Sequence, residues 1–334
     1  MSQNFLHGAT LKDVAELAGV SISTASRILD PRSTARESAT TQRVREASEK
    51  LGYRRDHAAS SLRRRGTSTI GVLVPRLSDA VMGILYEEIA RECEHHDLSA
   101  LVATTQDDPE RARQATRSLL SRKVDALILT TARLDDGLPG ELRAESIPHV
   151  LALRADGVSP SVVTDDELGG YLAVRHLGDL GHRRIGLICG PRYASSAVGR
   201  LAGARRAVAE LGLDADPALV VGAGFSVEEG DDSMERLLAL PHPPTAVFGV
   251  TDHAAIGAMA AIARHGLTTP GDVSVVGYND IPLARHLPTP LSSVRASLDL
   301  IAQSAVRMLV DGGRDDHIVL PPTMIPRATS GRPA

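Results

Sequence analysis

Residues 10–29 read TLKDVAELAGVSISTASRIL, and the spacing of their apolar and small residues predicts two short helices joined by a tight turn. Leu11, Val14, Ala15 and Ala18 recur at helical intervals along one face. Thr10 can cap the first helix, with Asp13 three residues on as a weak form of the capping box. Gly19 can take the left-handed conformation that ends it. Ser21 can cap the second helix. There Ala25, Ile28 and Leu29 turn inward, while Ile22, Ser23, Ser26 and Arg27 share the opposite side. Ala15 and Gly19 are small enough to let the helices cross closely, so the stretch reads as a helix-turn-helix. In that motif the second helix enters the major groove of DNA with its amino end leading. Ile22 and Ser23 then reach base edges, Arg27 reaches guanine or phosphate, and Ser21 and Ser26 suit phosphate contacts. The bland reading of the same pattern is a small helical hairpin with a Ser-rich solvent face.

The charge distribution points the same way. Residues 1–66 hold 12 Lys and Arg against 7 Asp and Glu, and the remainder holds 25 against 34, within a net charge of −4 for the chain. A basic head on an acidic body suits a polyanion partner at the head; a merely solvated basic surface is the alternative. A third amphipathic stretch, TTQRVREASEKLGY (40–53), turns Val44, Ala47 and Leu51 inward. The basic segment RRDHAASSLRRRGTS (54–68) follows, with Leu62 alone among small residues. Ala58, Ala59 and Leu62 form either a weak helix stripe or a wedge for the minor groove, where an inserted Leu kinks the duplex.

Past residue 68 the chain alternates apolar runs with helix-length segments. The runs are TIGVLVP, LSALVATT, DALILTT, HVLAL, SVVTD, RIGLICG, ALVVGAG, TAVFGV and VSVVGYN. They are nearly continuous in Val, Ile and Leu, as strands buried on both faces are. The alternation predicts doubly wound parallel sheets. Nine strands are too many for one comfortable sheet, which predicts two similar lobes with a ligand between them at the carboxyl ends of the strands.

With 334 residues the chain accommodates two or three domains, and 43% hydrophobic residues suffice for real cores. Trp is absent and aromatics make up 2%, so any aromatic in a pocket stands out. Cys93 and Cys189 are far apart and fit a reducing cytoplasm. No apolar run reaches membrane-spanning length, and MSQNFLHGAT lacks an export pattern. CEHH (93–96) carries metal-type residues that helical spacing scatters, and it reads as a solvated helix end with no metal. GAGFSV (222–227) lacks the third Gly of a dinucleotide fingerprint, and no GxSxG, Walker-type loop or HExxH occurs. Neither a cofactor nor an enzymatic activity is expected.

The segments TLKDVAELAGVSISTASRIL, LGY and AASSLRRRGTSTIGVLVP together resemble the lactose-repressor/galactose-repressor (LacI/GalR) family of bacterial transcriptional regulators, and the resemblance runs from about Ala9 to Ala328. It implies an α + α/β chain: an amino-terminal helix-turn-helix headpiece (1–55), a hinge helix (56–67), and a two-lobed, doubly wound α/β body like periplasmic binding proteins (68–334). Lobe one would be about 69–163 plus 292–325, and lobe two about 164–291. The resemblance makes Leu62 the hinge wedge, Ala59 its minor-groove neighbour, and Ile22, Ser23 and Arg27 the base-reading positions, with His57 also at the DNA. Two departures occur. Arg55 stands where the family usually has Pro, and can add a phosphate contact; the loop DPRSTARES is about one residue longer than usual.

Effector positions also follow from the resemblance. GPRYASSAVGRLAG (190–203) matches the segment whose Arg, here Arg200, grips the effector, with Ser196 nearby; Phe225 falls at an aromatic platform. Asp252 is expected to cap the following helix, and His253 lies by the cleft. Asn279 replaces a usual Asp, Thr251 a usual Asn, Leu153 a usual Asp, Ala80-Val81-Met82 a usual Pro-Phe-Phe, and Arg76 a common Asp. Acceptors are lost while Arg76, Arg154 and Arg200 can all face the cleft, so the expected effector is anionic: a sugar phosphate or small carboxylate rather than a plain sugar. The implied protein is a DNA-binding homodimer on a pseudo-palindromic operator, its affinity set by the effector. No leucine heptad follows LPPTMIPRATSGRPA, which favours a dimer over a coiled-coil tetramer. The competing readings are a solute-binding protein without a DNA role and a Rossmann-like sugar-modifying enzyme.

Overall fold

The computed structural model describes residues 11–29, 38–51, 66–312 and 317–334, and the chain divides into two compact units, Met1–Thr67 and Ser68–Ala334. Thr10, Arg55, His57, Ala59, Leu62 and the side chain of Ser26 lie outside what is described, as does most of the DPRSTARES loop.

In the first unit, α1 (Leu11–Ala18), α2 (Ile22–Ile28) and α3 (Ala39–Lys50) enclose Val14, Ala15, Ala18, Ala25, Val44 and Ala47, all buried. Gly19 has φ 66°; its N–H bonds Glu16 O, and the Val20 N–H bonds Ala15 O at 3.0 Å, closing α1 with a Schellman turn. The Ser21 hydroxyl accepts the Thr24 N–H at 3.1 Å, and Ser38 accepts the Thr41 N–H at 3.2 Å. Both caps satisfy amides that would otherwise be orphaned at a helix start.

The second unit contains two six-stranded sheets. In lobe one, β1 (Thr69–Val74), β2 (Ser99–Thr104), β3 (Ala126–Leu129), β4 (His149–Ala152), β5 (Ser161–Thr164) and β11 (His317–Leu320) lie in the order β2-β1-β3-β4-β5-β11, all parallel. In lobe two, β6 (Ile185–Ile188), β7 (Val220–Val221), β8 (Ala246–Gly249), β9 (Ser274–Asn279), β10 (Ser292–Arg295) and β12 (Thr323–Ile325) lie in the order β7-β6-β8-β9-β10-β12, with only β12 antiparallel. Both lobes therefore share one winding, each reversing strand order beside its first strand.

All nine apolar runs form strands. The lobe boundary expected at 292 needs correction: β10 and β12 belong to the second sheet, and only the helix Leu298–Asp311 and β11 return to lobe one. The chain thus passes between lobes after Thr164, after Arg295 and after Leu320. Two of these passages are tied where the Asp165 N–H donates to Leu320 O at 2.8 Å.

Helices cover both sheets: α4 (Ala80–His95), α5 (Pro109–Ser121), α6 (Leu138–Ala144) and α11 (Leu298–Asp311) in lobe one, and α7 (Asp166–Asp179), α8 (Ser195–Glu210), α9 (Val227–Leu238) and α10 (Asp252–Arg264) in lobe two. The strands between them are buried on both faces, which explains their unbroken apolar runs. No helix among the described residues is long and apolar enough to cross a membrane.

Candidate nucleic-acid face and effector cleft

On α2, Ile22, Ser23 and Arg27 are exposed, with Ile22 44% accessible despite its apolar side chain. Ala25 on the other side is fully buried. Ser21 is committed as the cap and also bonds the Ser23 hydroxyl at 2.9 Å. The head thus spends its small apolar residues on its core and leaves one exposed face carrying a hydrophobe, a hydroxyl and a cation.

In the body, segments past the carboxyl ends of the strands in the two lobes meet across a seam, the place where doubly wound sheets bind ligands. Arg154 follows β4 and is buried, 4% exposed. Its guanidinium grips Asp107 with two bonds, Nη1 to Oδ1 at 2.8 Å and Nη2 to Oδ2 at 3.1 Å. Asp107 sits beyond β2 with φ 57°, a left-handed position that aims its carboxylate back at β4. Two aromatic rings from lobe two flank the arginine, those of Tyr193 and Phe225, each centred 5.6 Å from Cζ. Phe225 also packs on Gly190, where a side-chain carbon would come within 2.6 Å of the ring.

Arg200 on α8 is equally buried. Nε donates to Asp166 Oδ1 at 2.8 Å, Nη1 to Val250 O at 2.8 Å, and Cζ lies 3.6 Å above the Tyr278 ring. The pair meets because α7 and α8 cross at backbone contact: a side-chain carbon on Gly170 would collide with the Arg200 carbonyl, and one on Gly203 with the Glu167 carbonyl. Burial, aided by the neighbouring Asp166, pushes the Tyr278 hydroxyl well above its ordinary range, so it stays protonated.

These partners change the charge argument. Two of the three cations on which an anionic effector was expected are already balanced by carboxylates. Arg76 is exposed and makes no hydrogen bond or ion pair among the described residues; its charge acts on Glu228 at the start of α9. Glu228 is held below the ordinary carboxylate range chiefly by hydrogen bonds at that helix start.

Other expected positions resolve as follows. Thr251, not Asp252, caps α10: its hydroxyl accepts the Ala254 N–H at 3.1 Å and donates to Phe225 O at 3.0 Å, so it also fixes the aromatic platform. Asp252 is the first helical residue and is fully buried. It accepts the Ile281 N–H at 2.7 Å and the Ser293 hydroxyl at 2.6 Å, and burial raises its carboxyl to about 7. With both oxygens engaged, it positions β9 and β10 rather than offering a ligand contact. Asn279 is buried at φ 102°, and its side chain makes no hydrogen bond among the described residues. Ser196 is buried in the first turn of α8, but its neighbour Ser195 makes the contact between lobes, accepting the Ala155 N–H at 2.9 Å. His253 faces Asp79 across the cleft mouth, Nδ1 to Oδ1 at 3.9 Å.

Sequence reasoning missed Asp107, Arg133, Tyr193, Ser195 and Asp166. Tyr193 had a signal, being one of five Tyr in a chain without Trp and lying inside the quoted segment 190–203. Among the described residues four buried side-chain atoms lack hydrogen-bond partners: Thr131 Oγ1, Thr164 Oγ1 and Tyr278 Oη at or just past the carboxyl ends of β3, β5 and β9, and His149 Nε2 at the start of β4. Unsatisfied buried groups are rare in folded chains, and three of these four lie at the carboxyl ends of strands. Among the described residues no group of His, Cys, Asp and Glu could hold a metal ion.

Comparison with known proteins agrees with this architecture. Residues 10–56 match the bacterial regulatory proteins of the lacI family, and residues 174–330 match the periplasmic binding protein-like domain. The HTH-type transcriptional repressor PurR of Haemophilus influenzae (strain PittEE) is 32% identical over 91% of this chain and 90% of its own length. The ribose operon repressor of Escherichia coli (strain K12) is 33% identical over 95% of this chain and 94% of its own. A solved lac repressor dimer, bound to operator and the anti-inducer ONPF, aligns with TM-score 0.85 at 27% identity, covering 97% of this chain and all of that one. With relatives of this identity spanning nine-tenths of both chains, the protein belongs to the lacI family: it is a DNA-binding transcriptional repressor regulated by a small molecule, not an enzyme.

Proposed function

We propose that this chain acts in the cytoplasm as a homodimer on a two-fold operator, and that a neutral, polar small molecule in the cleft sets its DNA affinity. The organisation is a headpiece over 1–55, a hinge over 56–67 and an effector-binding body over 68–334. Ile22, Ser23 and Arg27 read base edges, with Thr10, Ser21 and Ser26 at phosphates. Arg55, His57, Ala59 and Leu62 serve the hinge, Leu62 as the minor-groove wedge. The observation that carries the DNA half is the exposed α2 face over an otherwise closed core. For the effector, the carrying observation is that Arg154 and Arg200 each already hold a carboxylate. Such pairs still offer donors and acceptors to hydroxyls, and Phe225 offers a ring face. The relatives named for ribose and a structural neighbour solved with cellobiose favour the same class.

The test is a fluorescence-anisotropy titration on DNA from the gene's own upstream region, with D-ribose, cellobiose, a purine base and ribose 5-phosphate as candidate effectors. Arg27→Ala is expected to cost about 1–3 kcal/mol and to relax preference at one base pair. Affinity lost equally on every sequence would make Arg27 a phosphate contact instead. A response confined to ribose 5-phosphate would sink the neutral-effector reading.

A further inference from the structure

The loop that follows β6 does more than border the cleft. Its turn is closed by the Ala194 N–H donating to Pro191 O at 3.1 Å, and it projects Tyr193 from lobe two onto lobe one. The ring lies under the Arg133 guanidinium, 3.6 Å from Cζ to centroid, with Arg154 at 5.6 Å. Its hydroxyl donates to Asp107 Oδ2 at 3.3 Å. Arg133 is itself held, donating to Asp107 O at 2.8 Å and to both oxygens of Asp135 at 2.8 and 2.9 Å. Two backbone bonds complete the tie: the Leu134 N–H donates to Tyr193 O at 2.8 Å, and the Ala155 N–H to Ser195 Oγ at 2.9 Å. The ring contacts of Tyr193, its bond to Asp107 and the Leu134 and Ala155 amide bonds all run between lobe one and the segment 193–195 of lobe two.

We infer that the loop Pro191–Ala194 is a strap that fastens lobe two to lobe one, with Tyr193 as its buckle. Cation–ring and charged hydrogen-bond contacts hold well in a partly buried site, yet they can be broken one lobe from the other without unfolding either. A change in the angle between lobes requires Tyr193 to leave Asp107 and Arg133. A molecule that uses Arg154 and Phe225 competes for the same arginine. The strap therefore couples the angle between lobes to the arginine at the cleft. Its regulatory meaning rests on the effector reading above, but its existence is a property of the chain alone.

The amides of Leu134 and Ala155 report it directly, since both belong to lobe one and find their acceptors in lobe two. The test is hydrogen exchange of the full-length, ligand-free protein, followed by mass spectrometry. Tyr193→Ala is expected to speed exchange at both amides by roughly ten- to a hundredfold, the effect of losing a bond to a charged group and its ring contact. Tyr193→Phe keeps the ring and loses only the donation to Asp107, so several-fold is expected. Arg133→Ala, made in the opposite lobe, should speed the Ala155 amide. The amides of Thr130 and Cys189, bonded within their own lobes to Leu73 O and Val221 O, serve as controls and should hold their native rates. Native rates at Leu134 and Ala155 in Tyr193→Ala overturn the strap, as does an increase shared by the controls. The experiment uses neither DNA nor effector, so its failure is distinguishable from failure of the proposed function.

Discussion

Asp252 shows how the role of one residue depends on the partners that its neighbours leave it. It stands by the cleft in a segment whose pattern suggests capping, but Thr251 does the capping and Asp252 turns inward under Gly277, where a side-chain carbon would collide with its carboxylate. Desolvation raises the carboxyl to about 7; Asp280 adds to the rise, while the bonds from Ser293 and the Ile281 amide oppose it. The ordinary unfolded value is about 3.9. The folded state therefore binds this proton more tightly, and the group's contribution to stability declines as pH rises from about 4 to about 7, then levels off. Asn at this position can accept the Ile281 N–H and donate to the Ser293 hydroxyl, which can rotate to accept. Asp252→Asn is expected to raise stability at pH 7.5 by ~1–3 kcal/mol and by about half as much or less at pH 5. Urea unfolding at the two pH values decides it, and a gain of equal size at both would refute the assigned titration.

Among elements, legibility followed hydrophobicity. The runs that became β1 to β9 are Val, Ile and Leu nearly throughout, and a buried parallel strand needs little else. The strand β10 escaped because it reads Ser-Ser-Val-Arg. Ser292 and Ser293 are fully buried, yet their hydroxyls are satisfied by Ser330, the Arg327 and Asp280 amides and Asp252. A polar strand of this kind is visible only once its partners are in place, and missing it displaced the lobe boundary. Helix crossings hide similarly: nothing local in GGYLAV announces that Gly170 lies against the backbone of Arg200. Ala is the better helix former by roughly 1 kcal/mol. Gly170→Ala should nonetheless destabilise the body by about 1–3 kcal/mol or more, because α7 and α8 must move apart at a carbonyl rather than at a flexible side chain. Thermal unfolding checks this, and a variant as stable as the parent would show that the crossing gives way freely.

At the scale of the molecule, the sequence made the two-part plan legible: a basic head with a helix-turn-helix, then two like-wound lobes. The cleft's cations were legible too, but their partners were not. Asp107 and Arg154 are 47 residues apart, and Asp166 and Arg200 are 34 apart, so only the folded lobes reveal that each positive charge is matched. The proposal of a neutral effector rests on that matching, which can be undone at one position. Asp107→Asn keeps size and shape while releasing Arg154 from its carboxylate. Leaving a buried guanidinium unpaired is costly, so the variant should unfold at lower temperature and should recover when an anion in the cleft offsets the released charge. Inorganic phosphate at about 20 mM, compared with chloride at equal ionic strength, is expected to raise the Tm of Asp107→Asn by roughly 3 °C or more and that of the parent by less than about 1 °C. If phosphate instead stabilises the parent just as much, the cleft has uncompensated positive charge after all, and the anionic effector first expected from the sequence becomes the better reading.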